Sequence, residues 1–135
     1  KALITGVANK QSIAWGIAQA LHAHGVEIAF TCLDTSQRRV RKLAALVDSD
    51  RVIPCDVQRD EDISSAVKEV HDTFNGHLDI FVHSIAYAKL SDIGGEFGSV
   101  SRTGWSQALD VSAYSLVALV REIRPLLKAS GGARS

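Results

Sequence analysis

The sequence contains no methionine, only two cysteines and two prolines, and no excess charge of either sign. Fifteen Lys and Arg balance fifteen Asp and Glu, so we expect neither nucleic acid nor a membrane surface as a partner. Cys32 and Cys55 are too few for a disulfide framework, which predicts reduced thiols in a cytosol-like compartment. No apolar run reaches the roughly 18 residues of a membrane span, and we identify no signal peptide.

The missing methionine also bears on completeness. Lys1 leads directly into an apolar run, whereas a natural start would carry an initiator Met and a few further residues. We therefore expect a fragment, or a sequence whose ends are missing. Its 135 residues, 46% of them hydrophobic, are enough for the core of one domain, taken as residues 1–135, and exclude a disordered chain.

Short apolar runs alternate with longer stretches of helical periodicity. The runs predict strands at 1–6, 26–31, 51–55 and 78–83. Helices are predicted after the first three strands, then a glycine-rich loop over 86–104 and a long helix over 105–128. This alternation predicts a doubly wound parallel α/β sheet, Rossmann-like, with strand order 3-2-1-4. We expect it to be truncated after about four strands, with a fifth beginning around Ala133.

In such sheets ligands bind beyond the carboxyl ends of the strands, and the first candidate segment follows strand one. Gly6 permits a sharp turn, and Ser12 lies at a helix N-terminus whose free N–H groups attract phosphate. The G-x-G-x-x-G fingerprint of dinucleotide-binding proteins is absent. An ordinary turn with Ser12 as the helix N-cap is therefore an equal alternative.

The next two strand ends carry carboxylates. Asp34 could accept a hydrogen bond from a ribose 2′-hydroxyl and would repel a 2′-phosphate, which favours NAD over NADP; it could equally cap a helix. Three nearby arginines could instead bind a phosphate: Arg38, Arg39 and Arg41. After the third strand, the carboxylate of Asp56 could accept from an adenine amino group while the Val57 N–H serves a ring nitrogen. An Asp at that position is also a common turn residue.

The fourth segment, residues 83–88, would face the nicotinamide end of a bound cofactor. The small side chains of Ala86 and Ala88 would allow a ring or an acyl chain to approach closely. His83 could act in acid–base chemistry, although a structural hydrogen bond is the commoner role for such a residue. The other histidines lack partner ligands at metal-binding spacing, and we predict no metal site.

Together these segments are far more specific than any one of them. The stretches GVANKQSIAWGIAQAL (6–21), CDV (55–57), HSIAYA (83–88) and ALDVSAYSLVALVREIRPLL (108–127) closely resemble the enoyl-acyl-carrier-protein reductases of bacterial and plastid fatty-acid synthesis. That family is a divergent branch of the short-chain dehydrogenase/reductase superfamily. The resemblance implies an oxidoreductase that reduces trans-2-enoyl thioesters of acyl carrier protein or CoA with NADH, located in a bacterial cytoplasm or a plastid and assembled as a homotetramer.

The resemblance also implies roles for particular residues. The pyrophosphate region would be held by Gly6, Ser12 and Ile13. Leu33 would lie near the adenosine. The remaining implied contacts are Asp56 and Val57 with adenine, Ser84 and Ile85 with the ribose and nicotinamide, and Ala88 with the substrate.

The family's catalytic Tyr and Lys follow the next strand, and this chain stops before it. Neither Tyr87 nor Tyr114 has a Lys four or seven positions later, and packing is the better interpretation for Tyr114. We therefore expect no catalytic residue here, only the cofactor-binding portion of the enzyme, inactive alone. Two alternatives stay open: a short-chain reductase acting on ketones or alcohols, and a non-catalytic dinucleotide-binding module.

Overall fold

The computed structural model describes residues 1–129, and its parallel sheet contains four strands within that range. The strands are β1 (Ala2–Thr5), β2 (Ile28–Cys32), β3 (Val52–Pro54) and β4 (Ile80–Val82), in the order β3-β2-β1-β4. Ala2 of β1 is in register with Ile28 on one side and Ile80 on the other. The predicted fold class and strand order are confirmed, whereas the fifth strand expected around Ala133 lies outside the described residues.

Helices connect the strands and cover both faces of the sheet. They are α1 (Ile13–Ala23), α2 (Gln37–Ala44), α3 (Asp60–Phe74), α4 (Leu90–Ile93), α5 (Arg102–Leu109) and α6 (Ser115–Ala129). Short 3₁₀ turns lie at Asp34–Ser36, Ala45–Val47 and Phe97–Ser99. No helix in the described part of the chain is long and apolar enough to cross a membrane.

The core has two layers because side chains alternate along each strand. Leu3, Ala29 and Ile53 point to one face, where α3 and α6 cover them. Ile4 and Phe30 point to the other face, where they belong to a cluster with buried residues of α1 and α2. β1 and β2 are thus buried on both sides, which is why their sequences are mainly apolar, whereas the residues of β4 are only partly buried.

Two elements end at residues whose own backbone chemistry favours an end. Pro54 is the last residue of β3, the strand at one edge of the sheet, where a missing N–H costs no ladder hydrogen bond. Asn75 takes the left-handed conformation, with φ of 53°, directly after α3. The Asn75-Gly76 pair, both residues of which have positive φ, therefore ends α3.

The predicted loop over 86–104 is wrong in part, because it contains α4, a 3₁₀ turn and the start of α5. Ser101 begins α5 earlier than predicted: its Oγ accepts a hydrogen bond from the Gly104 N–H at 3.0 Å. The same hydroxyl donates to the Asp92 carboxylate at 2.9 Å, which ties α4 to α5. A cap and one carboxylate thus order a stretch that glycine content alone predicts to be irregular.

The predicted continuous helix over 105–128 is likewise interrupted. Residues Asp110–Tyr114 form a π-helical turn between α5 and α6. At its end the buried Ser115 Oγ donates to the Val111 carbonyl at 2.7 Å, a back-bond that competes with the regular helical ladder. Such turns are frequent at functional sites, and this one lies beside the cleft described below.

We predict that Phe30→Ala lowers the free energy of unfolding by about 3–5 kcal/mol, because Phe30 is fully buried and leaves a cavity under α1 and α2. Leu46→Ala is the matched control, since Leu46 is 59% exposed and should cost less than about 1 kcal/mol. Urea unfolding followed by circular dichroism measures both. Equal losses for the two variants would contradict the assigned core.

Candidate functional site

A cleft of about 400 Å³ opens at the carboxyl edge of the sheet. Each strand contributes the residues that follow it, since parallel strands all end at this edge. The wall also includes Gln107 of α5 and Val111 of the π-helical turn. The other lining residues lie at the strand ends or in the turns and helix that follow them: Gly6, Val7, Ala8, Thr31, Cys32, Leu33, Ser36, Arg39, Cys55, Asp56, Val57, Gln58, Ser84, Ile85, Ala86 and Tyr87.

The centre of the cleft depends on a close approach between the ends of β1 and β4. Gly6 has φ of +87°, and a Cβ placed on it would overlap the Ser84 carbonyl oxygen. Thr5 joins the same two segments: its Oγ1 donates to the Val82 carbonyl at 3.0 Å and accepts from the Ser84 N–H at 3.3 Å. Only glycine satisfies both the backbone conformation and the space at position 6.

The end of β3 presents a carboxylate to the cleft. Asp56 Oδ1 accepts from the backbone N–H of Gln58 at 3.0 Å, which fixes the turn after the strand. The Asp56 N–H in turn donates to the Asp62 carboxylate, in the first turn of α3, at 3.2 Å. Asp56 is therefore both a turn residue and a cleft-lining acceptor, so the two interpretations of this residue are compatible.

Two neutral thiols lie between these strand ends. Burial raises the pKa of Cys32 to about 11 and that of Cys55 to about 12, so both are protonated at neutral pH. The nearby carboxylates of Asp62 and Asp56 push the Cys55 pKa in the same direction, whereas the Arg41 and Arg39 charges oppose the rise at Cys32. Both cysteines are free, and as neutral thiols they add no charge of their own to the wall.

At the end of β2, Asp34 is not on the cleft wall, where one interpretation of the sequence has it accept a hydrogen bond from a ribose hydroxyl. Asp34 begins the 3₁₀ turn, is exposed, and its Oδ1 accepts from the Gln37 side-chain amide at 2.6 Å. The cleft wall at this end is formed instead by Leu33, Ser36 and Arg39. The structure therefore gives no support to Asp34 as the residue that sets a preference for NAD.

The segment after β4 is held by the π-helical turn. His83 Nε2 and Ser115 Oγ are 2.7 Å apart, and because that hydroxyl already donates to Val111, the imidazole is the donor. Ser112 Oγ accepts from the Tyr87 N–H at 3.1 Å and donates to the Tyr87 carbonyl at 3.3 Å. Burial lowers the pKa of His83, which favours the neutral ring. His83 thus has the structural role that its sequence position favours.

The structure brings six of the nine predicted site residues onto the cleft wall: Gly6, Leu33, Asp56, Val57, Ser84 and Ile85. Ser12, Ile13 and Ala88 are not on it. Ser12 lies at the N-cap of α1 without a side-chain cap, because its Oγ donates to the Asn9 carbonyl at 2.6 Å. Ile13 is 77% exposed, and Ala88 is half-buried beyond the wall. The ligand contacts of all nine residues stay predictions.

The contributors to the wall or its support that sequence reasoning missed include Gln107, Ser112 and Ser115. Arg39, one of the three arginines considered as an alternative phosphate ligand, also lines the wall. A signal for the serines exists, since they are small polar residues three apart in an otherwise apolar helical stretch. Within residues 1–129, no group of three or more His, Cys, Asp or Glu is arranged to hold a metal ion.

The fold and cleft define a class: an α/β protein whose ligand site lies at the carboxyl edge of a parallel sheet. Residues 6–134 match the family described as Enoyl-(Acyl carrier protein) reductase. The chain is also 47% identical over 134 residues to the NADH enoyl-acyl-carrier-protein reductase FabI of Aquifex aeolicus, covering 98% of this chain and 49% of the relative. The chain belongs to the enoyl-acyl-carrier-protein reductase family.

Solved structures agree with this membership. The Aquifex aeolicus NADH reductase superposes with a TM-score of 0.89 at 48% identity, over 93% of this chain and 50% of that one. The Anaplasma phagocytophilum enzyme, solved in complex with NAD, has a TM-score of 0.87 at 33% identity, over 93% of this chain and 48% of that one. The chain thus spans about half the length of the relatives it matches, and the family resemblance seen in the sequence is confirmed.

We predict that Gly6→Ala lowers the free energy of unfolding by more than about 2 kcal/mol, because it adds left-handed strain and an overlap with the Ser84 carbonyl. Gly16→Ala is the control: it lies in α1 with open space around it and should stabilise by about 0.5–1 kcal/mol. Thermal unfolding of the two variants distinguishes them. A Gly6→Ala variant as stable as the parent would refute the close approach.

The lowered pKa of His83 predicts that the free energy of unfolding depends on pH. Its folded pKa lies below the ordinary value of 6.5, so the unfolded state takes up a proton first as pH falls, and stability decreases through and below about pH 6.5. His83→Gln removes the titration while keeping an N–H donor near Ser115. Between about pH 7.5 and 5.5, urea unfolding should show a smaller loss for the variant than for the parent; an identical loss would contradict the prediction.

Proposed function

We propose that this chain is the cofactor-binding portion of an NADH-dependent enoyl-acyl-carrier-protein reductase, which reduces trans-2-enoyl thioesters in fatty-acid synthesis. The observation that carries the proposal is the single cleft at which six predicted cofactor residues meet, in a chain of this family. The proposed setting is a bacterial cytoplasm or a plastid, with the whole enzyme acting as a homotetramer on thioesters of acyl carrier protein or CoA.

The residues on the wall suit an extended dinucleotide. The cleft combines apolar and neutral side chains with a few polar groups, the usual composition of a cofactor site. At one end the Asp56 carboxylate can accept from the adenine amino group and the Val57 N–H can serve a ring nitrogen. At the centre the missing side chain of Gly6 lets backbone approach the pyrophosphate. Ser84 and Ile85 then lie on the nicotinamide side.

The family's reaction uses the nicotinamide as hydride donor to the β-carbon of the enoyl thioester. The chain's part in it is binding and orientation. The hydrogen bonds between Ser112 and the Tyr87 backbone, and between Ser115 and His83, keep the segment that would face the nicotinamide in one conformation. Such preorganisation is the contribution that a cofactor-binding half can make to the rate.

The tyrosines of this chain do not form the family's catalytic pair. Tyr114 belongs to the π-helical turn and its hydroxyl accepts from Arg121 at 3.4 Å. Tyr87 lines the cleft but has no Lys four or seven positions later. We place the pair that stabilises the enolate in the part of the relatives that this chain does not span.

The proposal is tested by expressing the full-length reductase and this 135-residue chain side by side. The full-length enzyme should oxidise NADH with a crotonyl thioester, and the chain alone should show no turnover. Reduction of ketones without enoyl turnover would instead favour a carbonyl reductase. Nucleotide binding with neither activity would favour a non-catalytic module, and turnover by the chain alone would contradict the placement of the catalytic pair.

We predict that Ala88→Val in the full-length enzyme raises KM for the enoyl thioester by about tenfold with little change in KM for NADH, because added methyl groups there would narrow the acyl pocket. Ala20→Val, on the exposed surface of α1, is the control and should alter neither constant. Steady-state kinetics with each substrate varied in turn provides the measurement. A change confined to NADH would show that Ala88 lies on the cofactor side.

A further inference from the structure

Two glutamines meet on the cleft wall near the end of β3. Gln58 lies in the turn between β3 and α3, and Gln107 lies on α5. The Gln107 side-chain nitrogen, Nε2, donates to the Gln58 side-chain oxygen, Oε1, at 3.0 Å, and both residues line the cleft. The two residues are 49 positions apart in the chain, so this hydrogen bond joins α5 to the part of the wall that follows β3.

The same Gln58 side chain reaches the carboxylate of Asp56. Asp56 Oδ1 accepts from the Gln58 backbone N–H at 3.0 Å and from Gln58 Nε2 at 3.4 Å. Within residues 1–129 the other carboxylate oxygen, Oδ2, accepts no hydrogen bond, and Asp56 forms no salt bridge. Gln58 therefore holds one oxygen of the carboxylate and leaves the other to accept from a ligand.

The carboxylate fixes the direction of both side-chain hydrogen bonds. Because an ionised carboxylate can only accept, Gln58 has to turn its NH₂ group toward Asp56. The Gln58 oxygen then faces α5, where only a donor can satisfy it, and Gln107 supplies that donor. Without the donor the Gln58 amide is free to turn over, and its own oxygen would then face Asp56 Oδ1 and repel it.

We infer that Gln107 is a positioning residue for the cofactor, which acts through Gln58 to hold the Asp56 carboxylate in the orientation that accepts from the adenine amino group. This chain of hydrogen bonds raises the preference of the cleft for adenine over a base that lacks the amino group. The inference rests on the proposed function, because it supposes that the adenine lies against Asp56.

The test compares NADH with reduced nicotinamide hypoxanthine dinucleotide, whose base has a carbonyl oxygen where adenine has its amino group. Fluorescence titration of the full-length reductase gives a dissociation constant for each, and the ratio of the two constants measures the base preference. The wild type should bind NADH at least about fivefold more tightly, since hypoxanthine loses a hydrogen bond to a carboxylate.

Gln107→Leu should weaken NADH binding by about three- to fivefold and change binding of the hypoxanthine analogue by less than about twofold. The base preference should therefore fall, whereas general damage to the cleft would weaken both nucleotides. Gln19→Leu makes the same chemical change on the exposed surface of α1, off the cleft wall, and is the matched control. It should leave both constants unchanged.

A double-mutant cycle shows whether the effect passes through Gln58. Gln58→Leu should lower the base preference at least as much as Gln107→Leu does, and adding Gln107→Leu to it should cause no further change. Gln107→Glu keeps the shape of the side chain but its carboxylate cannot donate, so it should also lower the base preference. NADH and the analogue carry the same phosphates, so the charge that this variant adds cancels in the ratio.

The outcomes separate this inference from the function on which it rests. If Gln107→Leu weakens both nucleotides equally, or neither, the positioning role is refuted and the proposed function stands. An effect of Gln107→Leu that persists in the Gln58→Leu background refutes it as well, because Gln107 would then contact the nucleotide directly. A wild type that prefers NADH by less than about fivefold refutes it too. Failure of the wild type to bind NADH overturns the proposed function itself.

Discussion

Gly6 lies so close to the Ser84 carbonyl oxygen that no side chain fits between the two backbones, and the cleft takes its shape from that contact. The left-handed turn at Gly6 leads the chain away from β1 while the segment after β4 folds in beside it. Thr5, which precedes Gly6 on β1 and is hydrogen-bonded to Val82 and Ser84 at the end of β4, is completely buried and satisfied. A packed backbone junction thus separates the side of the cleft near β2 and β3 from the wall formed by residues 84–87.

The order of the strands explains why the cleft opens beside this junction. Because β1 lies between β2 and β4, the chain turns away to opposite sides at their carboxyl ends and leaves an opening there. The π-helical turn then supports the far wall through Ser112 and Ser115. A regular α-helix through the same residues would change the position of Ser112 relative to Ser115. The irregular turn between α5 and α6 therefore affects the geometry of a cleft that is built mainly from strand ends.

Much of this architecture was predictable from the sequence because it follows from periodicity. The apolar runs locate all four described strands, and Asn75 and Pro54 mark element ends by backbone chemistry that does not depend on distant residues. The predictions that were wrong are the irregular loop over 86–104 and the continuous helix over 105–128, and both depend on side-chain hydrogen bonds. The Asp92–Ser101 bond orders α4 and α5, and the back-bond from Ser115 to the Val111 carbonyl accompanies the π-helical turn; neither follows from glycine content or apolar periodicity.

The central claim is that NADH lies along the cleft formed by the four strand ends. Hydrogen–deuterium exchange of the full-length reductase, with and without NADH, tests it directly. We expect NADH to slow exchange in the peptides that contain Gly6, Leu33, Asp56–Val57 and Ser84–Ile85. The peptide around Asp48, at the opposite edge of the sheet, should be unaffected. Protection confined to that opposite edge, or none at the strand ends, would contradict the account.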